Sequence, residues 1–248
     1  FRYNFNSDKV DTSGYTILKN QNAVLVMDTG GNPVKNFSEN YQSGTLSFEF
    51  FFKGKKLITN SGYFQNHNHQ LNGISKSTAT HSTLTLDNSS ACNFKKNSRG
   101  SSTISKGLKT FDNQVTYEKD LWSIKCSHDG YLSRYGVIHQ RRIKFDPDKY
   151  IIFGKERLIK KKNFKSTNFE IRFHLLPNLK ITKIQDNKSV LIELENSGWR
   201  FFSKDGLIGV ETGLYFGNKN NYIENQNIFI SGITQDDEQV IEWKISKI

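Results

Sequence analysis

TLSFEFFFKGKKLITNSGYF, Thr45–Phe64, decides how this chain folds, and KSTATHSTLTLD, Lys76–Asp87, extends the same reading. In Thr45–Phe50 the apolar residues Leu46, Phe48 and Phe50 alternate with Thr45, Ser47 and Glu49, the two-residue period of a half-buried strand. A Gly-containing turn follows, then a second strand. In His81–Leu86 the same rule puts Leu84 and Leu86 on one face and His81, Thr83 and Thr85 on the other. The pattern therefore predicts that His81 faces away from the core beside hydroxyls, a position suited to chemistry.

Outward from this stretch the chain reads as strand after strand. Towards the N-terminus the pattern predicts strands at Tyr15–Leu18 and Ala23–Asp28, then Thr45–Phe52, Lys56–Thr59 and Ser82–Asp87. The middle of the chain adds Val115–Glu118, Trp122–His128, Val137–Phe145, Tyr150–Ile159 and Phe169–Leu176. Lys180–Ile184, Val190–Leu194, Trp199–Ser203, Leu207–Val210, Asn227–Ile233 and Val240–Ile245 complete the series. Gly- and Asn-rich turns such as Thr29–Asn32 and Phe216–Asn218 separate them. No dozen-residue window carries a 3.6-residue apolar period, and no blade-like repeat is present. The expectation is all-β: a large two-layer antiparallel β-sandwich over residues 1–248, with a possible sub-boundary near 177–180. The polar stretch Asn88–Thr110 is expected to be a surface loop.

At 248 residues the chain can bury a sizeable core. Its 35 Lys and Arg against 24 Asp and Glu give a net charge of +11. Such an excess attracts nucleic acid, anionic membranes or acidic polysaccharides, or else is compositional bias spread over solvated faces. Lys160–Lys162 reads as a turn between strands, and no nucleic-acid motif accompanies it. Cys92 and Cys126 lack metal-ligand spacing. No hydrophobic run reaches membrane-spanning length and no signal-peptide pattern is visible, while a start at Phe1 points to a processed protein or a fragment.

The histidines and arginines each admit two readings. His81 is a hydrogen-bonded structural residue or a catalyst. His67 and His69 share a face if extended and could join a third ligand around a metal, or belong to a polar loop. His128-Asp129-Gly130-Tyr131 reads as a turn in which Gly supplies a positive φ. His139 and Arg141 lie on one side of their strand and Arg142 on the other, where it meets a substrate carboxylate bidentately or an acidic neighbour across the sheet. Arg172 and His174 are on the polar face. The chain has no Walker loop, no G-x-S-x-G and no H-E-x-x-H.

AVLVMDTGG (Ala23–Gly31), GTLSFEF (Gly44–Phe50), KKLITNSGYF (Lys55–Phe64), KSTATHSTLTLDNSS (Lys76–Ser90), SHDGY (Ser127–Tyr131) and GVIHQRRIKF (Gly136–Phe145) follow in a fixed order. FHLLPN (Phe173–Asn178) and GLYFG (Gly213–Gly217) continue it. In these blocks the chain resembles the C-terminal β-sheet domain of heparinase II/III-like polysaccharide lyases. The resemblance implies a β-sandwich that follows a helical toroid domain upstream in the same polypeptide. It also implies β-elimination on an acidic polysaccharide and a periplasmic or secreted location.

Carried over residue by residue, the resemblance puts His81 on a histidine that ligates a structural zinc in some members. The other two ligand positions hold Gln42 and Asn60 here. Amides are poor zinc ligands beside imidazole and carboxylate, so no tightly bound zinc and no other cofactor is expected. The family's catalytic histidine aligns with Asn40, which can donate to a carboxylate but cannot be a general base. Tyr63 aligns with the aromatic residue of the glycine-tyrosine turn. Two functions follow from this. One is a lyase in which His81 and Tyr63 handle protons while Asn40, Gln42, Asn60 and Arg142 bind the uronate. The other is a catalytically degenerate carbohydrate-binding or structural domain. Neither nucleic acid nor a membrane span is an expected partner.

Overall fold

The computed structural model describes residues 11–12, 14–96, 100–118, 121–184, 188–217, 221–234 and 238–248. Among them, nine strands form one sheet and eight another, and every pairing is antiparallel. The first sheet runs Asp11–Thr12, Tyr15–Lys19, Ala23–Asp28, Phe48–Phe52, Lys55–Thr59, Asn168–Leu175, Ile223–Ile233, Leu207–Tyr215, with Leu84–Leu86 also paired to Asn168–Leu175. The second runs Lys180–Lys183, Ser189–Leu194, Ser197–Ser203, Glu238–Lys247, Ile151–Lys160, Val137–Asp146, Leu121–His128, Thr110–Glu118. Residues 176–179, overlapping the sub-boundary expected near 177–180, carry the chain from the first sheet to the second. No helix among the described residues is long and apolar enough to cross a membrane.

The core lies between the sheets because alternate residues of each strand are apolar and buried. Phe48, Phe50, Phe52 and Phe173 of the first sheet meet Phe145, Trp199, Phe201 and Trp243 of the second. Phe48 stacks on Trp243 with ring centres 5.5 Å apart, and Phe173 meets Phe201 at 4.7 Å. Phe50 touches both Phe145 and Trp199 edge to face. Each such ring, fully buried, contributes roughly 1.5–3 kcal/mol.

Every segment expected to be a strand contains one. The departures have local causes. The strand expected at Thr45 starts at Phe48, because Leu46 adopts φ 65° and breaks the extended run. Asn88–Thr110 is not simply a loop: Asn93–Lys96 pairs with Ser102–Lys106, and this hairpin buries Ile104. A six-residue helix, Gln70–Ser75, is too short for its period to show in sequence. Gly130 has no positive φ; a side chain there would press on the Ala91 carbonyl, which its Cβ would meet at 2.8 Å.

A buried polar network crosses between the sheets. Arg141 Nε donates to both Glu156 oxygens at 2.8 and 3.0 Å, and Trp243 Nε1 donates to Glu156 at 2.9 Å. The Gly130 amide donates to His128 Nδ1 at 3.1 Å. The His128 proton must therefore sit on Nε2, which donates to His139 Nδ1 at 3.2 Å, leaving His139 Nε2 to donate to Glu156 at 2.7 Å. Burial pushes both histidines down. It would raise Glu156, but Arg141, His139 and Trp243 outweigh it and hold the carboxyl below its usual range. Arg141 Nη1 reaches the other layer, donating to the carbonyls of Leu46 at 2.7 Å and Ser82 at 2.6 Å.

Removing one member of such a pair leaves a buried charge uncompensated. We expect Arg141→Met to cost about 3–5 kcal/mol, read as a fall in the urea midpoint. An unchanged midpoint would show that the network carries none of the stability.

Candidate functional site

The segment Ser77–Thr83 is dense in hydroxyls, and these bond to nearby carbonyls in competition with sheet pairing. Thr80 Oγ1 donates to Ser77 O at 2.8 Å and lies 3.1 Å from Ser75 O, over a 3₁₀ turn at Thr78–Thr80 that the His81 amide closes on Thr78 O. His81 ends that turn rather than lying on the strand, and it is only 5% exposed. The expectation that it faces away from the core is thus corrected: both sides of this segment are covered. Its Nδ1 lies 2.8 Å from Ser77 O, so Nδ1 carries the proton and Nε2 keeps a lone pair unclaimed by any described residue. Gly44 makes room for the ring, since a Cβ there would come within 2.5 Å of it. Burial lowers the His81 pKa to about 4, against the pull of the Ser77 carbonyl and Glu49.

Ser82 links this histidine to its surroundings. Its amide donates to Asn60 Oδ1 at 2.8 Å, its hydroxyl donates to Thr59 O at 2.6 Å and accepts from the His174 amide at 2.9 Å. Arg141 holds its carbonyl. An amide N–H can only donate, so the Asn60 oxygen must face Ser82. The Asn60 NH₂ is therefore left without a partner among the described residues.

Tyr63 is fixed by a chain of similar logic. Asn72, on the short helix capped by His69, donates from Nδ2 to Phe64 O at 2.7 Å and to Tyr63 Oη at 3.0 Å. The Tyr63 proton is thereby left for Asn40 Oδ1, 3.3 Å away. Asn40, like Asn60, is tied by its oxygen, and its NH₂ has no partner among the described residues. Beside it, Lys76 Nζ donates to the Glu39 carbonyl and to Ser102 O at 3.1 Å, and stands 5.8 Å from the Tyr63 ring centre. Burial raises the Tyr63 pKa, opposed by the Asn72 hydrogen bond, so the phenol keeps its proton at neutral pH.

The structure thus brings five of the six sequence-derived positions to one region. Asn40 touches Tyr63, Asn60 is tied next to His81, and half-exposed Gln42 stands two residues before Gly44, its side chain without a partner among the described residues. Arg142 stands apart, on the outer face of the eight-stranded sheet. The two histidines of the His-x-His pair are used differently. His69 Nδ1 accepts from the Leu71 amide at 3.2 Å, and His67 lies exposed with its ring centre 6.4 Å from that of Tyr63. Asn72, Lys76, Ser82 and Arg141 were not singled out as site residues, because their roles depend on which carbonyl each one reaches.

Zinc does not fit this donor set. One imidazole faces two amides, the Asn60 oxygen is already occupied, and among the described residues no three His, Cys, Asp or Glu side chains converge. Cavities of about 340 and 430 Å³ lie elsewhere, around Glu170 and around Phe153.

A family model described as heparinase II/III-like, C-terminal, matches residues 3–244. The fold is similar to that of the heparan sulfate lyase HepC from Pedobacter heparinus, with a TM-score of 0.78 and 18% identity over 98% of this chain and 36% of that one. It is also similar to a heparinase III, the BT4657 gene product, at TM-score 0.73 and 16% identity over 95% of this chain and 35% of that one. A second heparinase III gives 0.71 and 17% over 96% and 36%. The chain spans about a third of the length of these solved proteins. Among curated protein sequences, none matches significantly.

Neutral buried histidines make stability depend on pH. Burial pushes His81 down to about 4 and His174 down to about 3 in the folded protein, against an ordinary value of 6.5. Below that value the unfolded chain binds more protons, so their contribution is complete above about pH 6.5 and is lost as pH falls. We expect the urea midpoint to fall between about pH 6.5 and pH 4.5, each histidine contributing up to about 1.4 kcal/mol per pH unit. A flat midpoint there would mean that these rings are already charged in the folded protein.

Proposed function

The chain belongs to the heparinase II/III-like C-terminal domain family, and from that premise we propose that it is the β-sandwich part of a polysaccharide lyase. The substrate is a uronate-containing polysaccharide and the reaction is β-elimination. A proton is removed beside the uronate carboxylate, a ring double bond forms, and the glycosidic C–O bond breaks towards an oxygen that takes up a proton. A helical domain upstream in the same polypeptide is part of this proposal.

The observation that carries it is the pair of oriented amides. Asn40 and Asn60 are each held through the oxygen, so their NH₂ groups are preset as donors before any ligand arrives. Donors aimed at a uronate carboxylate stabilise the charge that develops there as the adjacent proton leaves. One preorganised donor is worth roughly 2.7–4 kcal/mol of barrier. Gln42 supplies a third amide, and Lys76 holds the Glu39–Asn40 backbone in place.

Proton traffic falls to Tyr63 and His81. Tyr63 stays a phenol, which suits it to protonate the leaving sugar oxygen. His81 is neutral, with an Nε2 lone pair that no described residue claims, the requirement for a base. Its low pKa makes it a weak one, so carboxylate neutralisation by the amides has to supply most of the acidity.

An ultraviolet assay for unsaturated uronate, run on the full-length protein with heparan sulfate, heparin, hyaluronan, chondroitin and alginate, tests this. We expect product from one polymer and a roughly 10²–10⁴-fold lower kcat in Tyr63→Phe. No product from any polymer, with one still retarding the protein in an affinity gel, would replace the lyase by a carbohydrate-binding domain.

A further inference from the structure

The outer face of the eight-stranded sheet carries cations that the fold does not require. Lys125, Arg142, Lys155 and Glu242 stand opposite one another on four successive strands. Two residues along, Ser123, Lys144, Phe153 and Lys244 repeat the row. Glu242 pairs with Lys155 at 3.2 Å and with Lys204 at 2.8 Å. Lys125, Arg142, Lys144 and Lys244 have no carboxylate partner among the described residues. Like charges directly opposite on neighbouring strands are destabilising, and Lys125 against Arg142, then Arg142 against Lys155, are two such pairs in one row. Arg142 therefore finds no acidic neighbour across the sheet, the use its position otherwise suggests.

The array also has shape. Leu121, Arg142, Lys144, Phe153, Lys155 and Glu242 line a cavity of about 430 Å³. Phe153 is 42% exposed and stands between Lys144 and Lys244. With strands about 4.8 Å apart, the row from Lys125 to Lys155 forms a continuous cationic strip roughly 10 Å long.

We propose that this face is a second binding site, separate from the Tyr63 site, for a linear anionic polysaccharide, with Phe153 beneath a sugar ring and the free cations on its carboxylates or sulfates. The four strands that make this face project no helix to enter a duplex groove. A single exposed ring within the array offers no succession of stacking platforms for an unpaired nucleic acid. The choice of polysaccharide deepens the family reading above and rests on it.

The test is retention of the full-length protein on immobilised heparin as a function of salt. Lys125, Arg142, Lys144 and Lys244 are replaced together by Gln. A control of equal charge replaces exposed Lys95, Lys96, Lys162 and Lys165 by Gln. We expect the first variant to elute at much lower salt, its log affinity against log salt flatter by roughly one unit per removed cation, with the control close to the parent. Equal shifts in both variants would mean that net charge alone is read and would overturn the site. So would an unshifted first variant, or tighter retention of the parent on single-stranded DNA with the same dependence on these residues. Equal urea midpoints establish that both variants fold. The uronate assay runs in parallel: absent product with intact, patch-dependent retention sinks the lyase reading and leaves this site standing.

Discussion

Arg141 grows from the eight-stranded sheet, takes its counter-charge from Glu156 on the neighbouring strand, and places Nη1 on two carbonyls of the opposite layer, Leu46 and Ser82. A guanidinium suits the task because its fork of donors serves the carboxylate and the carbonyls together. Its plane also lies over the Phe48 ring, 5.6 Å from the centre. The two carbonyls belong to the segments that shape the site. Leu46 sits at φ 65° just after Gly44, and Ser82 follows His81 and orients Asn60. An ion pair buried this deeply gains little net stability against an apolar replacement. What it contributes is definition: two loops of one layer are held in register with the strands of the other.

From that tie follows the electrical character of the site. It is built of neutral donors and neutral rings whose protons are assigned by their partners. The Ser77 carbonyl sets the His81 tautomer, the Ser82 amide sets Asn60, and the Phe64 carbonyl sets Asn72 and through it Tyr63. Burial then keeps His81 uncharged and Tyr63 protonated. Beside these neutral groups stands the cation Lys76, its ammonium held by the carbonyls of Glu39 and Ser102 and 5.8 Å from the Tyr63 ring centre. Lys125, Arg142, Lys144 and Lys244, without a carboxylate partner among the described residues, stand on the outer face of the eight-stranded sheet, where solvent screens the repulsion between neighbours.

The strands were legible because their signal is local. Alternation in Ala23–Asp28 and Val137–Phe145 follows from side chains pointing to opposite faces, whatever the sheet pairs with. The aromatic positions Phe48 and Phe50 read as core for the same reason. Convergence of Asn40, Gln42, Asn60, Tyr63 and His81 was legible only through the ordered blocks that resemble the lyase family. Lys76 and Asn72 were not, since nothing in a lysine or an asparagine announces which carbonyl it will meet.

The sequence by itself therefore determined the all-β architecture and the strands, because period is a property of short segments, and it pointed to the candidate amides only through the resemblance of its ordered blocks to the lyase family. Tertiary structure alone decided that His81 is buried, that Leu46 interrupts its strand, and that Arg142 belongs to a different face from the other five positions. Each of these depends on groups far apart in sequence, Gly44 with His81 and Arg141 with Ser82. Burial, tautomer and charge state are set by such neighbours, and they exist only once the two layers have closed on one another.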